Sequence, residues 1–99
     1  MNNIYSNIFS YNKKSLYKTI AYLRSEKIAG LPTETVYGLA GNAYSKNSIL
    51  KIYKLKKRPK INPLIVHYFD FKNAENDIFL NKNFFKLYKK FCPGPITFI

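Results

Sequence analysis

The chain has 99 residues, 46% hydrophobic and 17% aromatic, which excludes a disordered tail and allows one domain at most. Its net charge of +12 has two readings: a phosphate-bearing partner, or the A/T-rich codons of Lys, Asn, Ile, Tyr and Phe that swell the composition. One cysteine and one histidine exclude an internal disulfide and make a structural zinc site implausible, and no apolar run reaches the roughly 18 residues of a membrane span.

The opening "MNNIYSNIFSYNKK" lacks the basic start and long apolar stretch of a secretory signal. With the single thiol of Cys92, this gives a cytoplasmic expectation. Residues 14–26 place Leu16, Ile20 and Leu23 at i, i+4 and i+7, which predicts a helix with one apolar face and Asn12 as its N-cap. "KIAGL", 27–31, reads as a short buried strand that Pro32 terminates. Ser45 is placed to cap a second helix over 46–57, with Ile49, Ile52 and Tyr53 on its buried stripe. Arg58-Pro59 ends it, because a residue before proline is biased away from helical dihedrals.

"PLIVHYF", 63–69, reads as a buried strand. Residues 70–83 are polar, with "NAEND" as a loop. "NFFKLYKKF", 83–91, sets Phe84, Leu87, Tyr88 and Phe91 at helical spacing, and "PGPITFI" turns and opens a last strand. Helix, strand, helix, strand, helix, strand predicts an α/β fold, a twisted sheet with flanking helices. A sheet stopped in that last strand leaves an edge for something else to cover, so the sequence reads as part of a domain.

The chain resists its own composition in three blocks, 32–41, 58–67 and 92–95, where most of its Pro, Gly, Arg and His residues fall. In "PTETVYG" Thr33 and Thr35 offer hydroxyls and Glu34 a carboxylate, and Gly38 permits a positive φ or a close backbone approach. The stretch is either a polar turn with a capping threonine or a loop that holds a small amino acid. In "KLKKRPKINPLIVH" the cations Lys56 and Arg58 suit a helix C-terminus. Arg58 stands out because the chain prefers Lys, and a guanidinium grips phosphate oxygens with a planar fork. Asn62 is a turn residue or presents its amide to a ligand. His67 is a satisfied strand-end histidine or a ligand-binding one. Cys92 has no evident activating group and reads as packing, and no Walker or dinucleotide loop occurs.

In combination, "PTETVYGL", a helix ending in "KKRP", then "NPLIVH" and "PGPIT" closely resemble the YrdC-like family, the threonylcarbamoyl-AMP synthases. The four motifs stand in the family's order and separations, and the likeness runs from about residue 14 to 99. Two small departures lie at Gly30 and at Ala40-Gly41. The larger one is length, since the family's C-terminal half with its Ser-Ala-Asn motif is missing. The resemblance therefore implies that residues 1–99 are the N-terminal portion of a single YrdC-like domain.

The resemblance further implies a nucleotidyltransferase that joins L-threonine, bicarbonate and ATP into L-threonylcarbamoyladenylate and pyrophosphate, for threonylcarbamoyladenosine modification of tRNA. By motif position Thr35 and His67 would contact L-threonine, with Thr33 and Glu34 shaping the pocket. Arg58 and Asn62 would contact ATP, with Lys56 a phosphate neighbour and Mg²⁺ accompanying the nucleotide. No covalent nucleophile is implied. A companion chain carrying the C-terminal half is an expected partner. The competing readings are a non-catalytic RNA-binding module, motivated by charge and by aromatics interleaved with Lys, and an inactive remnant of the enzyme.

Overall fold

A computed structural model describes residues 7–99. The chain divides into two compact units, one ending at Leu64 and one running from Ile65 to Ile99. The first contains α1 (Lys13–Arg24), β1 (Ala29–Pro32), β2 (Tyr37–Ala40) and α2 (Lys46–Lys56); the second contains α3 (Phe71–Ala74) and α4 (Lys82–Phe91).

Helix α1 starts where its sequence says it should. Asn12 is extended, its side chain accepts from the Ser15 amide at 2.9 Å, and Ser15 Oγ accepts from the Asn12 amide at 3.0 Å. This reciprocal cap satisfies two otherwise orphaned donors and is worth about 1 kcal/mol. The helix ends at Arg24, two residues before the expected end. There the Lys27 amide reaches back to the Tyr22 carbonyl at 3.0 Å and the Glu26 amide to Leu23 at 3.2 Å, with Glu26 left-handed at φ 62°. That is a Schellman turn with a glutamate where glycine is usual.

Helix α2 repeats the scheme. Ser45 caps it by accepting from the Ser48 amide at 3.1 Å. Lys57 is left-handed at φ 50°, its amide meets the Lys54 carbonyl at 3.2 Å, and the Arg58 amide meets the Tyr53 carbonyl at 3.0 Å. The expected stripe is present, with Ile52 buried and Ile49 and Tyr53 half-buried. Gly41 lets β2 run close under this helix: a Cβ there would sit 3.2 Å from Ile52 Cδ1 and from Ser48 Cβ. The core of the first unit gathers at that crossing.

The sheet differs from the expected one. Among the described residues it has two strands, antiparallel, pairing Ala29 with Ala40 and ending with Pro32 opposite Tyr37. Pro32 does close the ladder, having no amide to extend it. Its partner β2 lies inside the stretch taken for a loop. Residues 63–69, and the last strand expected after Pro95, belong to no ladder among the described residues. A β-rich sequence becomes a strand only when another strand meets its backbone.

In the second unit Asn81 caps α4 by accepting from the Phe84 amide at 2.8 Å. The polar stretch contains a short helix, α3, capped by Asp70 at 3.0 Å from the Asn73 amide. Phe71 packs on Phe84, Phe85 and Tyr88 with ring centroids 5.4–5.9 Å apart, and Phe98 meets Phe84 edge-on at 4.8 Å. Leu87 and Phe91, expected on the buried face, are exposed. No helix among the described residues is long and apolar enough to cross a membrane.

Candidate functional site

The β1–β2 hairpin presents the first group of expected site residues. Thr33 organises its tip: the amide donates to the Val36 carbonyl at 3.1 Å, the hydroxyl donates to the same carbonyl, and Thr33 Oγ1 accepts from the Val36 amide at 3.2 Å. A side chain committed this way shapes the turn. Glu34 and Thr35 stand exposed at the tip, and their side chains have no hydrogen-bond partner among the described residues. Gly38 corrects an expectation. No glycine among the described residues has a positive φ, and a Cβ on Gly38 would meet Thr33 Cγ2 at an ordinary 3.7 Å. Its place in the ladder does not require glycine.

The second group sits at the end of α2. The Schellman turn fixes the Arg58 backbone, and Arg58 Nη2 donates to the Pro63 carbonyl at 3.0 Å. The guanidinium Nε is shielded from solvent and has no acceptor. Tyr53, one turn before the helix end, donates its hydroxyl to the Asn62 carbonyl at 2.6 Å, and the Asn62 amide donates to the Pro59 carbonyl at 3.0 Å. Arg58 and Asn62 are thus held on one tight turn, with the Asn62 amide side chain uncommitted. Lys56 is exposed beside them in sequence.

No hydrogen bond links this turn to the hairpin tip among the described residues. His67 belongs to the second unit, where it is exposed. A surface cavity of about 420 Å³ opens on α2, lined by Ile28, Lys51, Lys54, Leu55 and Lys57. None of the expected substrate-binding residues lines it.

Glu26 escaped the sequence reading and anchors the first unit. Its carboxylate accepts from Ser45 Oγ at 2.9 Å and Asn47 Nδ2 at 3.2 Å, and Lys51 Nζ donates to its carbonyl at 2.9 Å. A carboxylate at the start of α2 also suits the helix dipole. The Asn47 and Ser45 hydrogen bonds, with a smaller contribution from the Lys51 charge, hold its pKa below the ordinary 4.5. A depressed folded-state pKa gives stability that is present above the unfolded value and is lost as pH falls through the folded one. Glu26→Gln is expected to flatten that acid-side loss in thermal melts between about pH 5 and pH 2. An unchanged pH profile would contradict the clamp. The clue in the sequence was scarcity, since only five acidic residues accompany seventeen basic ones.

Of the aromatics of α4, Phe85 and Phe91 are exposed. Phe84 and Tyr88 spend their faces on Phe71, Phe98 and each other.

The first unit thus carries an exposed hydroxyl and carboxylate at its hairpin tip and a guanidinium tied to the turn after α2. The Sua5–YciO–YrdC family model, described as telomere recombination, matches residues 21–99, and the chain belongs to that family. The threonylcarbamoyl-AMP synthase of Bacillus subtilis is 41% identical over 91 residues, covering 91% of this chain and 26% of the relative. That of Pyrococcus abyssi is 40% identical over 82 residues, covering 79% and 23%. Among solved structures, P. abyssi Sua5 complexed with L-threonine superposes with a TM-score of 0.77 at 33% identity, covering 87% of this chain and 26% of that one. The chain therefore carries a partial YrdC-like fold and spans about a quarter of the length of these relatives.

Proposed function

We propose that this chain is the N-terminal part of an L-threonylcarbamoyladenylate synthase and acts together with the remainder of that domain. The likeness to a Sua5 structure that holds L-threonine carries this reading. Thr35 and His67 bind L-threonine, with Thr33 and Glu34 shaping the amino-acid pocket. Arg58, Asn62 and Lys56 bind ATP, which arrives with Mg²⁺ on its phosphates.

The chemistry asks for alignment more than for a nucleophilic side chain. The neutral amine of L-threonine takes up CO₂ from bicarbonate, with loss of water, and becomes a carbamate. A carbamate oxygen attacks the α-phosphorus of ATP, the bond to the β-phosphate oxygen breaks, and pyrophosphate leaves. Arg58 and Lys56 offset the charge that gathers on the phosphates. The product is an acyl donor for a tRNA-modifying step.

The test is pyrophosphate release that depends on L-threonine, bicarbonate and ATP together. The chain alone is expected to release little, and the chain mixed with the remainder of a family enzyme is expected to release it steadily. Silence in every mixture would reduce the chain to a remnant.

A further inference from the structure

The geometry points to Tyr53 as a positioning residue of the ATP site: its phenol hydroxyl ties the 58–63 turn to α2 and so keeps the Arg58 guanidinium and the Asn62 amide presented together. This rests on the proposed function for ATP as the ligand, and adds what holds the two groups in place. Tyr53 meets the turn twice. Its carbonyl accepts from the Arg58 amide at 3.0 Å, and its hydroxyl donates to the Asn62 carbonyl at 2.6 Å. The first bond belongs to the helix end, and any side chain at this position would leave it intact. The second needs a phenol. Packing does not ask for that hydroxyl, because the half-buried ring shares its stripe with Ile49 and Ile52 and a phenylalanine would fill the same place. With nine tyrosines and eight phenylalanines, the composition favours neither.

At 2.6 Å the bond lies at the short end of the ordinary O–H···O range. It joins residues nine apart, so it reaches across the whole turn. The bond from the Asn62 amide to the Pro59 carbonyl at 3.0 Å closes the turn on itself without fastening it to the helix. Without the phenol, the side-chain tie that remains is the one from Arg58 Nη2 to the Pro63 carbonyl at 3.0 Å. The group that grips phosphate would then also have to hold its own turn. Tyr53 separates the two tasks. Binding groups held in place beforehand lose less freedom when the ligand arrives, and the difference appears as affinity.

The experiment titrates ATP with Mg²⁺ into the isotope-labelled full chain and follows the Arg58 and Asn62 side-chain N–H signals by NMR. Tyr53→Phe, which keeps the ring and deletes the donor, should weaken ATP binding roughly 3-fold to 10-fold, the scale of one hydrogen bond. In an Arg58→Ala background, read at Asn62, the same change should cost less than about 2-fold, because the main group it positions is gone. A merely structural hydroxyl would lower the melting temperature and leave the dissociation constant of the folded chain unchanged. Equal dissociation constants for Tyr53→Phe and the parent chain, or the same penalty in both backgrounds, overturn the proposal. A parent chain whose Arg58 and Asn62 signals ATP does not move overturns it together with the ATP assignment. A parent that titrates as expected yet releases no pyrophosphate in any mixture supports the positioning role and counts against the synthase reading alone.

Discussion

Truncating Ile52 to alanine is expected to destabilise the first unit by about 2–5 kcal/mol, the range for removing a buried aliphatic side chain and leaving a cavity. Among the described residues of this unit, Ile52 is the large hydrophobic side chain that is buried, at 6% exposure. Its Cδ1 lies against the Gly41 backbone where β2 passes under α2. Around it lie Gly41, the fully buried Ser48 and the half-buried Ile28. Total stabilities of single domains are about 5–15 kcal/mol, so this one change removes a large share. Ile52→Val should cost about 0.5–1.5 kcal/mol. Urea unfolding followed by circular dichroism separates the two, and equal midpoints for Ile52→Ala and the parent chain would contradict the placement of the core.

The second large effect concerns Arg58. Arg58→Lys keeps the charge and loses the planar fork, and Arg58→Ala loses both. A hydrogen bond to a charged group is worth about 1.5–3 kcal/mol, so ATP binding to the complemented protein should weaken roughly 10-fold to 100-fold for Arg58→Lys. Lys57→Ala should change it by less than about 2-fold, since an exposed lysine holds few fixed contacts. Because Arg58 also donates to the Pro63 carbonyl, the melting temperature must be followed beside calorimetry. Weaker binding with an unchanged melt assigns the loss to the phosphates. Equal effects at Arg58 and Lys57 would remove the phosphate role.

What the sequence revealed was local. Asn12 and Ser45 each bond an amide three residues on, so both helix starts were readable from a few neighbouring letters. The Ile49, Ile52 and Tyr53 stripe followed from helical spacing alone. What it concealed was pairing at a distance. Tyr37–Ala40 is a strand because Ala29–Pro32 lies beside it, and its Gly and polar flank gave it the look of a loop. "PLIVHY" has every local mark of a strand and no ladder among the described residues, because β-structure is a property of two chains of backbone and composition describes one. Glu26 looked like an ordinary surface residue at a helix end. Its partners Ser45 and Asn47 lie 19 and 21 residues away, beyond any local pattern.

The site was legible to the same degree. The motif residues could be named, and the structure adds that Thr33 is occupied in its turn, that Glu34 and Thr35 are free at the tip, and that Tyr53 braces the turn carrying Asn62. The bracing by Tyr53 had no sequence signature, because the residue was fully explained as one member of an amphipathic stripe.

The direct measurement is a crystal structure of the chain together with the remainder of a family synthase, soaked with L-threonine and a non-hydrolysable ATP analogue. Thr35 and His67 should lie about 3 Å from polar atoms of the amino acid, with the Arg58 guanidinium at a similar distance from phosphate oxygens. L-Threonine bound away from Thr35 and His67, or a triphosphate that leaves Arg58 in solvent, would contradict the account.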